Sequence, residues 1–346
     1  MYEIDFLPVE SESGQGSKSG DAIAVRFSVE TEQRNAVMVI DGGFSHVGEN
    51  LADHIAQYYE TDVVDLVIST HPDADHLNGL STLIGKVQAK ELLIHQPRLH
   101  TYDVSDFSNL EALDSLISLA RSRGVSIVEP FTGLTRFGGQ VSILGPTVSY
   151  YETLLEQHLA EERSGLSHAS KASFGSVVRG LLSKALPYLP IETLGDDGET
   201  SPRNNTSVIT LLRVGLQRMM FTGDAGITSL EGACDEYERT VGSFRVAPLH
   251  FFQAPHHGSR RNLGPTILNR ILGESGAPHR AGVTAFISSA KISEKHPSPK
   301  VVNALIRRGC EVFATEGRTI TQSNGAPPRA NWITLTPFGP LAEDDV

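Results

Sequence analysis

Ten residues, Thr70 to Gly79 (THPDADHLNG), constrain this chain more than any other stretch. They bring His71, Asp73, Asp75 and His76 within six positions. The run Val63 to Ile68 before them is largely apolar and reads as a buried strand. Two imidazoles and two carboxylates crowded at a strand end repel one another or take up protons unless a cation sits among them. The loop therefore reads as a metal site.

The flanking sequence alternates strands and helices. Tyr2 to Val9, Ala22 to Val29 and Ala36 to Ile40 are β-rich, the last two joined as a hairpin, and Ser11 to Gly20 is a Ser/Gly-rich link. The third run ends at Asp41-Gly42-Gly43, where two glycines allow unusual backbone angles. Asn50 to Tyr59 has helical spacing. Asn78 to Val87 predicts a helix that starts directly after the ligands, its positive end beside them and beside any anionic substrate. Glu91 to His95, Val125 to Val128 and Val141 to Leu144 read as strands, and Phe107 to Arg123 as an amphipathic helix. Ser149 to about Tyr188 turns helical (YYETLLEQHLAEE, then SVVRGLLSKAL), and Asp196 to Asn205 reads as a loop. Residues 149–203 are thus expected as a helical insertion in a single domain spanning 1–346.

The remainder returns to strands. Ser207 to Arg213 and Arg218 to Thr222 flank a turn, the second running into Gly223-Asp224. His250 to Ala254 leads into Pro255-His256-His257-Gly258-Ser259. Thr284 to Ser288 precedes His296-Pro297-Ser298-Pro299 and a helix from about Lys300 to Arg308, with Glu311 to Ala314 and Asn331 to Leu335 as closing strands.

A binuclear centre needs donors from several loops, since one short loop cannot surround two cations. The second half supplies them: Asp224 from one strand end, and His256 or His257 from the next. An aspartate between two ions can bridge them, and two ions lower the pKa of a water they hold enough to make hydroxide near neutral pH. The pattern points to a hydrolytic site.

The order HxDxDHxxG, TGDA, HHGS, HPSP resembles the metallo-β-lactamase fold, and within it the nuclease-like domain of ComEC-type competence proteins. Gly14-Gln15-Gly16 with Asp21, Asp41-Gly42-Gly43 and Asn204-Asn205-Thr206-Ser207 belong to the same likeness, which runs through nearly the whole chain except residues 149–203. It implies a four-layer αββα sandwich with metals at one edge between the sheets. It further implies His71 and Asp73 on a first ion, Asp75 and His76 on a second, Asp224 bridging, and one of His256 and His257 completing the ligands of the second ion. Aspartate at position 73, where histidine is commoner, favours a harder cation, so Mn²⁺ stands beside Zn²⁺. The histidine that many superfamily members supply in the middle of the chain has no counterpart in Ile143-Leu144-Gly145-Pro146. His95, His100, His158 and His168 are the nearby alternatives.

Two divalent ions suit phosphoryl oxygens, and the resemblance implies DNA. The expected function is a metal-dependent phosphodiester hydrolase, a soluble DNA nuclease. Asp75 and Asp224 position the nucleophile and His296 donates to the departing oxygen. Arg260 and Arg261 would meet phosphates, with Ser259 and Asn205 as further substrate contacts. A small phosphoester, cyclic nucleotide or lactone hydrolase is the main alternative. It is favoured by 29 basic against 41 acidic residues, a net charge of −12 that argues against a broad basic nucleic-acid surface. A non-catalytic module, or an effector held by a regulatory protein partner, completes the alternatives. Two cysteines give no disulfide framework. The acidic N-terminus is no signal peptide, and no apolar stretch approaches the roughly 20 residues that span a bilayer, so a cytoplasmic location with no membrane association is expected.

Overall fold

The computed structural model describes residues 1–11, 18–101, 103, 104, 107, 109–164, 191–276 and 282–343. Its first half runs β1 (Tyr2–Phe6), β2 (Ala22–Val29), β3 (Arg34–Gly42), α1 (Val47–His54), β4 (Val63–Val64) and β5 (Leu66–Ile68). It continues with α2 (Ala74–Lys86), β6 (Gln88–Ala89), β7 (Glu91–Leu93), α3 (Leu110–Ser122) and β8 (Ser126–Val128). The second half runs β9 (Thr135–Arg136), β10 (Val141–Gly145), α4 (Val148–Ser164), α5 (Pro202–Asn205), β11 (Ile209–Val214) and β12 (Gln217–Phe221). Then follow α6 (Ile227–Thr240), β13 (Phe251–Gln253), α7 (Pro265–Leu272), β14 (Thr284–Ile287), α8 (Pro299–Arg307), β15 (Glu311–Ala314) and β16 (Ile320–Asn324).

Strand periodicity explains how these pieces layer. Along β2, Ala22 and Ala24 join a core with Leu51, Leu80 and Leu116 of the first three helices. The alternate residues Ile23, Val25 and Phe27 join a second core with Phe221, Phe251 and Phe286 of the other sheet. Period-two alternation thus gives one strand two apolar faces. A third core sets Ile209, Leu211 and Phe252 against Leu230, Ile267 and Val302 of α6, α7 and α8. The result is the expected four-layer αββα sandwich. One seven-stranded sheet has the order β16-β1-β2-β3-β5-β7-β8 and the other β15-β14-β13-β12-β11-β10-β9. β3, β5, β7 and β8 are parallel to one another, as are β12 to β15. The carboxyl ends of parallel strands are where an open α/β sheet gathers its functional loops.

Several elements depart from the sequence reading. Helix α2 begins at Ala74, inside the ligand run, because His76 N and Leu77 N both donate to the Asp73 carbonyl (3.0 and 2.9 Å) and close the first turn there. The apolar run at 63–68 is split: β4 pairs with β6, and only β5 joins the large sheet. Residues 331–335 form no strand. Asn331 is left-handed (φ 65°) and Trp332 sits edge-on to Tyr58 at 5.4 Å, so the chain does not stay extended. The closing strand is β16, antiparallel to β1. In the expected insertion, α4 occupies the first helical stretch and packs Tyr151, Leu155 and Leu159 against Val104 and Phe107. The second stretch, SVVRGLLSKAL, lies outside the described residues. Among the described residues no helix is long and apolar enough to cross a membrane.

Candidate metal centre

Asp41, the penultimate residue of β3, is left-handed (φ 57°) and fully buried. Its Oδ1 accepts from Thr70 N (2.8 Å), and its Oδ2 accepts from Thr70 Oγ1 (2.6 Å) and lies 2.8 Å from His76 Nδ1. A carboxylate on Nδ1 fixes the ring and turns Nε2 outward, the arrangement typical of metal-binding histidines. His76 Nε2 points at Asp224 Oδ1, 3.4 Å away. His71 is held in the same way on its Nδ1, near Thr70 Oγ1 (3.0 Å) and Ser207 Oγ (3.3 Å), and its Nε2 faces Asp224 Oδ2 at 3.7 Å.

Asp224 follows β12 and Gly223, whose backbone is left-handed (φ 50°). A Cβ at position 223 would come within 3.0 Å of Thr70, so the two halves approach too closely there for a side chain. Ser207 Oγ accepts from Asp224 N at 3.0 Å. His256 and His257, both with positive φ (49° and 57°), turn their rings toward the same carboxylate from opposite sides. His256 Nε2 lies 3.5 Å from Asp224 Oδ2. His257 Nε2 lies 4.0 Å from Asp224 Oδ1 and 3.9 Å from Asp75 Oδ2.

Asp224 therefore divides the site. Oδ1 faces His76 and His257, with Asp75 beside them; Oδ2 faces His71 and His256. His256 thus stands opposite His71 across Asp224 Oδ2. His95, buried and stacked on Tyr151 (centroids 4.4 Å apart), is not at the site. Nor are His100, paired with Glu129 and Glu152, and His158, edge-on to Phe107. His168 lies outside the described residues.

The donor set fits divalent cations on independent grounds. Nε2 of His71 and His76, Oδ1 of Asp21 and Asp224 and Nδ1 of His257 are buried without a hydrogen-bond partner, a costly state for polar atoms that no cation compensates. Three convergent groups could each hold an ion: His71, His76 and Asp224; Asp75, His76 and His257; Asp224, His256 and His257. A further group is Asp21, Asp41 and His76.

The electrostatics agree. Burial, reinforced by Asp75, Asp73 and Asp41 against the pull of His76, pushes the Asp224 carboxyl up to about 8. Burial likewise raises Asp75 and drives His71 and His257 well below the usual imidazole range. In His76, burial acts downward, but Asp224 and Asp41 outweigh it and hold the ring well above that range. A divalent cation among these groups would favour the ionised carboxylates and displace the proton from His76, while burial already keeps His71 and His257 in the neutral form that binds a metal.

The other expected site residues divide. His296 is half-buried, its ring stacked on His256 (centroids 5.9 Å apart) and edge-on to His257 (6.2 Å). Arg260 and Arg261 are exposed beyond the His256-His257 turn. Ser259 is buried, and its hydroxyl accepts from Arg261 N. The Asn205 amide is tied inward: Oδ1 accepts from Gly226 N (3.0 Å) and Ser229 Oγ (3.0 Å), and Nδ2 donates to Thr200 O (3.2 Å). It braces the loop carrying Asp224 and is not turned to a substrate. Asp73 is reached by Arg203, with Nε 2.6 Å from its Oδ1.

The sequence pointed to neither Arg203 nor Asn262, and to Asn204 only as part of the motif likeness, with no role. Asn204 Nδ2 lies near Asp224 Oδ2 (3.4 Å) and His256 Nδ1 (3.2 Å), and Asn262 Oδ1 lies 3.1 Å from His256 Nδ1. Polar side chains in loop composition gave no signal for them.

No family model matches the sequence, and no curated protein matches it. Solved structures do. The metallo-β-lactamase fold protein YhfI from Bacillus subtilis is 11% identical, with 93% of this chain and 99% of that one covered and a TM-score of 0.45. A diphosphatase from the PhnP family is 10% identical, with 94% and 98% covered and a TM-score of 0.40. The β-hydroxylase CmlA is 12% identical, with 93% of this chain but 53% of that one covered and a TM-score of 0.45. At this level of similarity they carry no argument about the reaction.

Proposed function

We propose that the chain is a metal-dependent hydrolase of phosphodiesters, working on DNA as a nuclease. The observation that carries the reading is Asp224, whose two carboxylate oxygens each face their own pair of histidines. That is the disposition of a bridging ligand between two cations. Two divalent ions held there, Zn²⁺ or Mn²⁺, would polarise a phosphoryl oxygen and generate a nucleophile from water near neutral pH. Asp41 orients His76, Asp75 and Asp224 fix the reacting groups between the two halves, and His296 delivers a proton to the departing oxygen. Arg260 and Arg261, exposed at the rim, bind flanking phosphates. DNA as the polymer rests on the motif resemblance to the ComEC-type domain.

The net charge of −12 favours a second reading, a small phosphoester as substrate. Purified protein is supplied with Mn²⁺ or Zn²⁺ and offered linear and circular DNA, RNA and bis(p-nitrophenyl) phosphate. Cleavage of DNA that is lost in Asp75→Ala and Asp224→Ala is the expected result. Cleavage of the chromogenic ester with every nucleic acid left intact removes the nuclease and leaves the small-ester hydrolase.

A further inference from the structure

Arg203 is the second residue of α5, a short helix capped by Ser201, whose hydroxyl accepts from Asn204 N at 3.2 Å. The Arg203 carbonyl accepts from Thr206 N (3.1 Å) and Thr206 Oγ1 (2.6 Å), so the backbone beneath the side chain is fixed. Its guanidinium pairs with Asp73: Nη2 donates to Oδ2 at 3.2 Å, and Nε lies 2.6 Å from Oδ1, an oxygen that is buried without a hydrogen-bond partner. That same Oδ1 lies 3.8 Å from His71 Nε2. Arginine thus covers the face of the carboxylate that a cation shared with His71 would take. The next residue, Asn204, reaches Asp224 Oδ2 and His256 Nδ1, so α5 lies against the half of the centre that faces His71 and His256.

We propose that Arg203 is an exchangeable counter-ion: it holds Asp73 until a divalent cation takes that carboxylate, and the released guanidinium then binds an anionic phosphoryl oxygen of the substrate. The inference rests on the reading of Asp73 as a ligand of the first ion. A cation entering beside His71 must displace this ion pair and its hydrogen bond, so this half binds more weakly than the other. A planar guanidinium that matches a carboxylate fork also matches two phosphoryl oxygens, which lysine cannot do.

Calorimetric titration of metal-free protein with Mn²⁺, without substrate, gives the first test. Wild type is expected to bind in two steps. Arg203→Met tightens the weaker step at least about tenfold, the loss of one competing charge-assisted hydrogen bond, and Arg203→Lys falls between. Circular dichroism and melting confirm that both variants fold. Inorganic phosphate titrated into the Mn²⁺-loaded proteins is expected to bind about tenfold more weakly to Arg203→Met than to wild type, roughly one charge-assisted contact. Asp73→Asn serves as the control and should remove the weaker Mn²⁺ step. If it does, and Arg203→Met leaves that step unchanged or weakens it, or leaves phosphate affinity unchanged, the counter-ion role is overturned while Asp73 stands as a ligand. If Asp73→Asn keeps both steps, Asp73 is not a ligand and both ideas fall.

Discussion

At the scale of single residues, the centre depends on side chains that orient other side chains. Asp41 accepts from Thr70 and holds His76 Nδ1. Asp41→Asn is expected to keep the fold and weaken Mn²⁺ or Zn²⁺ binding about 10- to 100-fold, as loss of such an orienting partner does. Calorimetric titration of the metal-free protein measures it. Asp224→Ala has a different signature. Because each of its oxygens serves one half of the site, both binding steps should be lost together, and loss of only one step would show that Asp224 does not bridge.

At the scale of elements, the ligand loop is placed by a close backbone approach. A Cβ on Gly79 in α2 would lie 1.9 Å from the Gly42 carbonyl oxygen, and one on Gly42 would lie 2.6 Å from Leu80 N. The helix carrying Asp75 and His76 therefore seats against the strand carrying Asp41 only because both positions lack a side chain. Gly79→Ala must push α2 off β3. It is expected to cost about 3 kcal/mol of stability, at the upper end for overpacking, and to weaken metal binding with it. Urea unfolding measures the first, and an unchanged midpoint would show that α2 has room to shift.

At the scale of the whole molecule, two clusters of charge respond oppositely to conditions. Away from the centre, Asp5 of β1 ties that strand to the end of α1 and to the segment after β16: it accepts from Tyr59 Oη (2.7 Å) and Arg329 (2.7 and 2.9 Å) and lies 3.0 Å from His54 Nε2. Burial would raise its pKa, but the bonds from His54 and Arg329 outweigh burial and hold it down at about 2, from an ordinary 3.8. A carboxyl depressed in the folded state stabilises the protein above its unfolded pKa, and that contribution is lost as pH falls through the folded value. About 2 kcal/mol is therefore expected to disappear between roughly pH 4 and pH 2. Asp5→Asn should flatten that part of the stability profile, measured by urea unfolding against pH. The acidic centre behaves the other way: with Asp21, Asp41, Asp75 and Asp224 gathered around three buried histidines, a divalent cation binds the folded chain alone. Saturating Mn²⁺ should raise the melting temperature, by the equivalent of about 4 kcal/mol at 1,000 times Kd. A chelator should reverse the rise, and Asp224→Ala should abolish it.

Individual strands and helices were legible in the sequence because period-two and 3.6-period patterns leave local marks, whereas their αββα layering came from the motif resemblance; HxDxDH after an apolar run marked the loop as a candidate metal site. Asp224 and the His256-His257 pair were legible from their positions at strand ends. Three matters were decided only by the tertiary structure. His256 stands opposite His71, a choice made by two successive left-handed residues that no local pattern announces. Asn205, a plausible substrate contact in sequence, turns its amide inward because Gly226 and Ser229 happen to lie beside it. Arg203 meets Asp73 across 130 residues. Residue type and spacing determine which chemistry is available; contacts between distant loops decide which atoms share it, because those distances are set by how the two sheets pack.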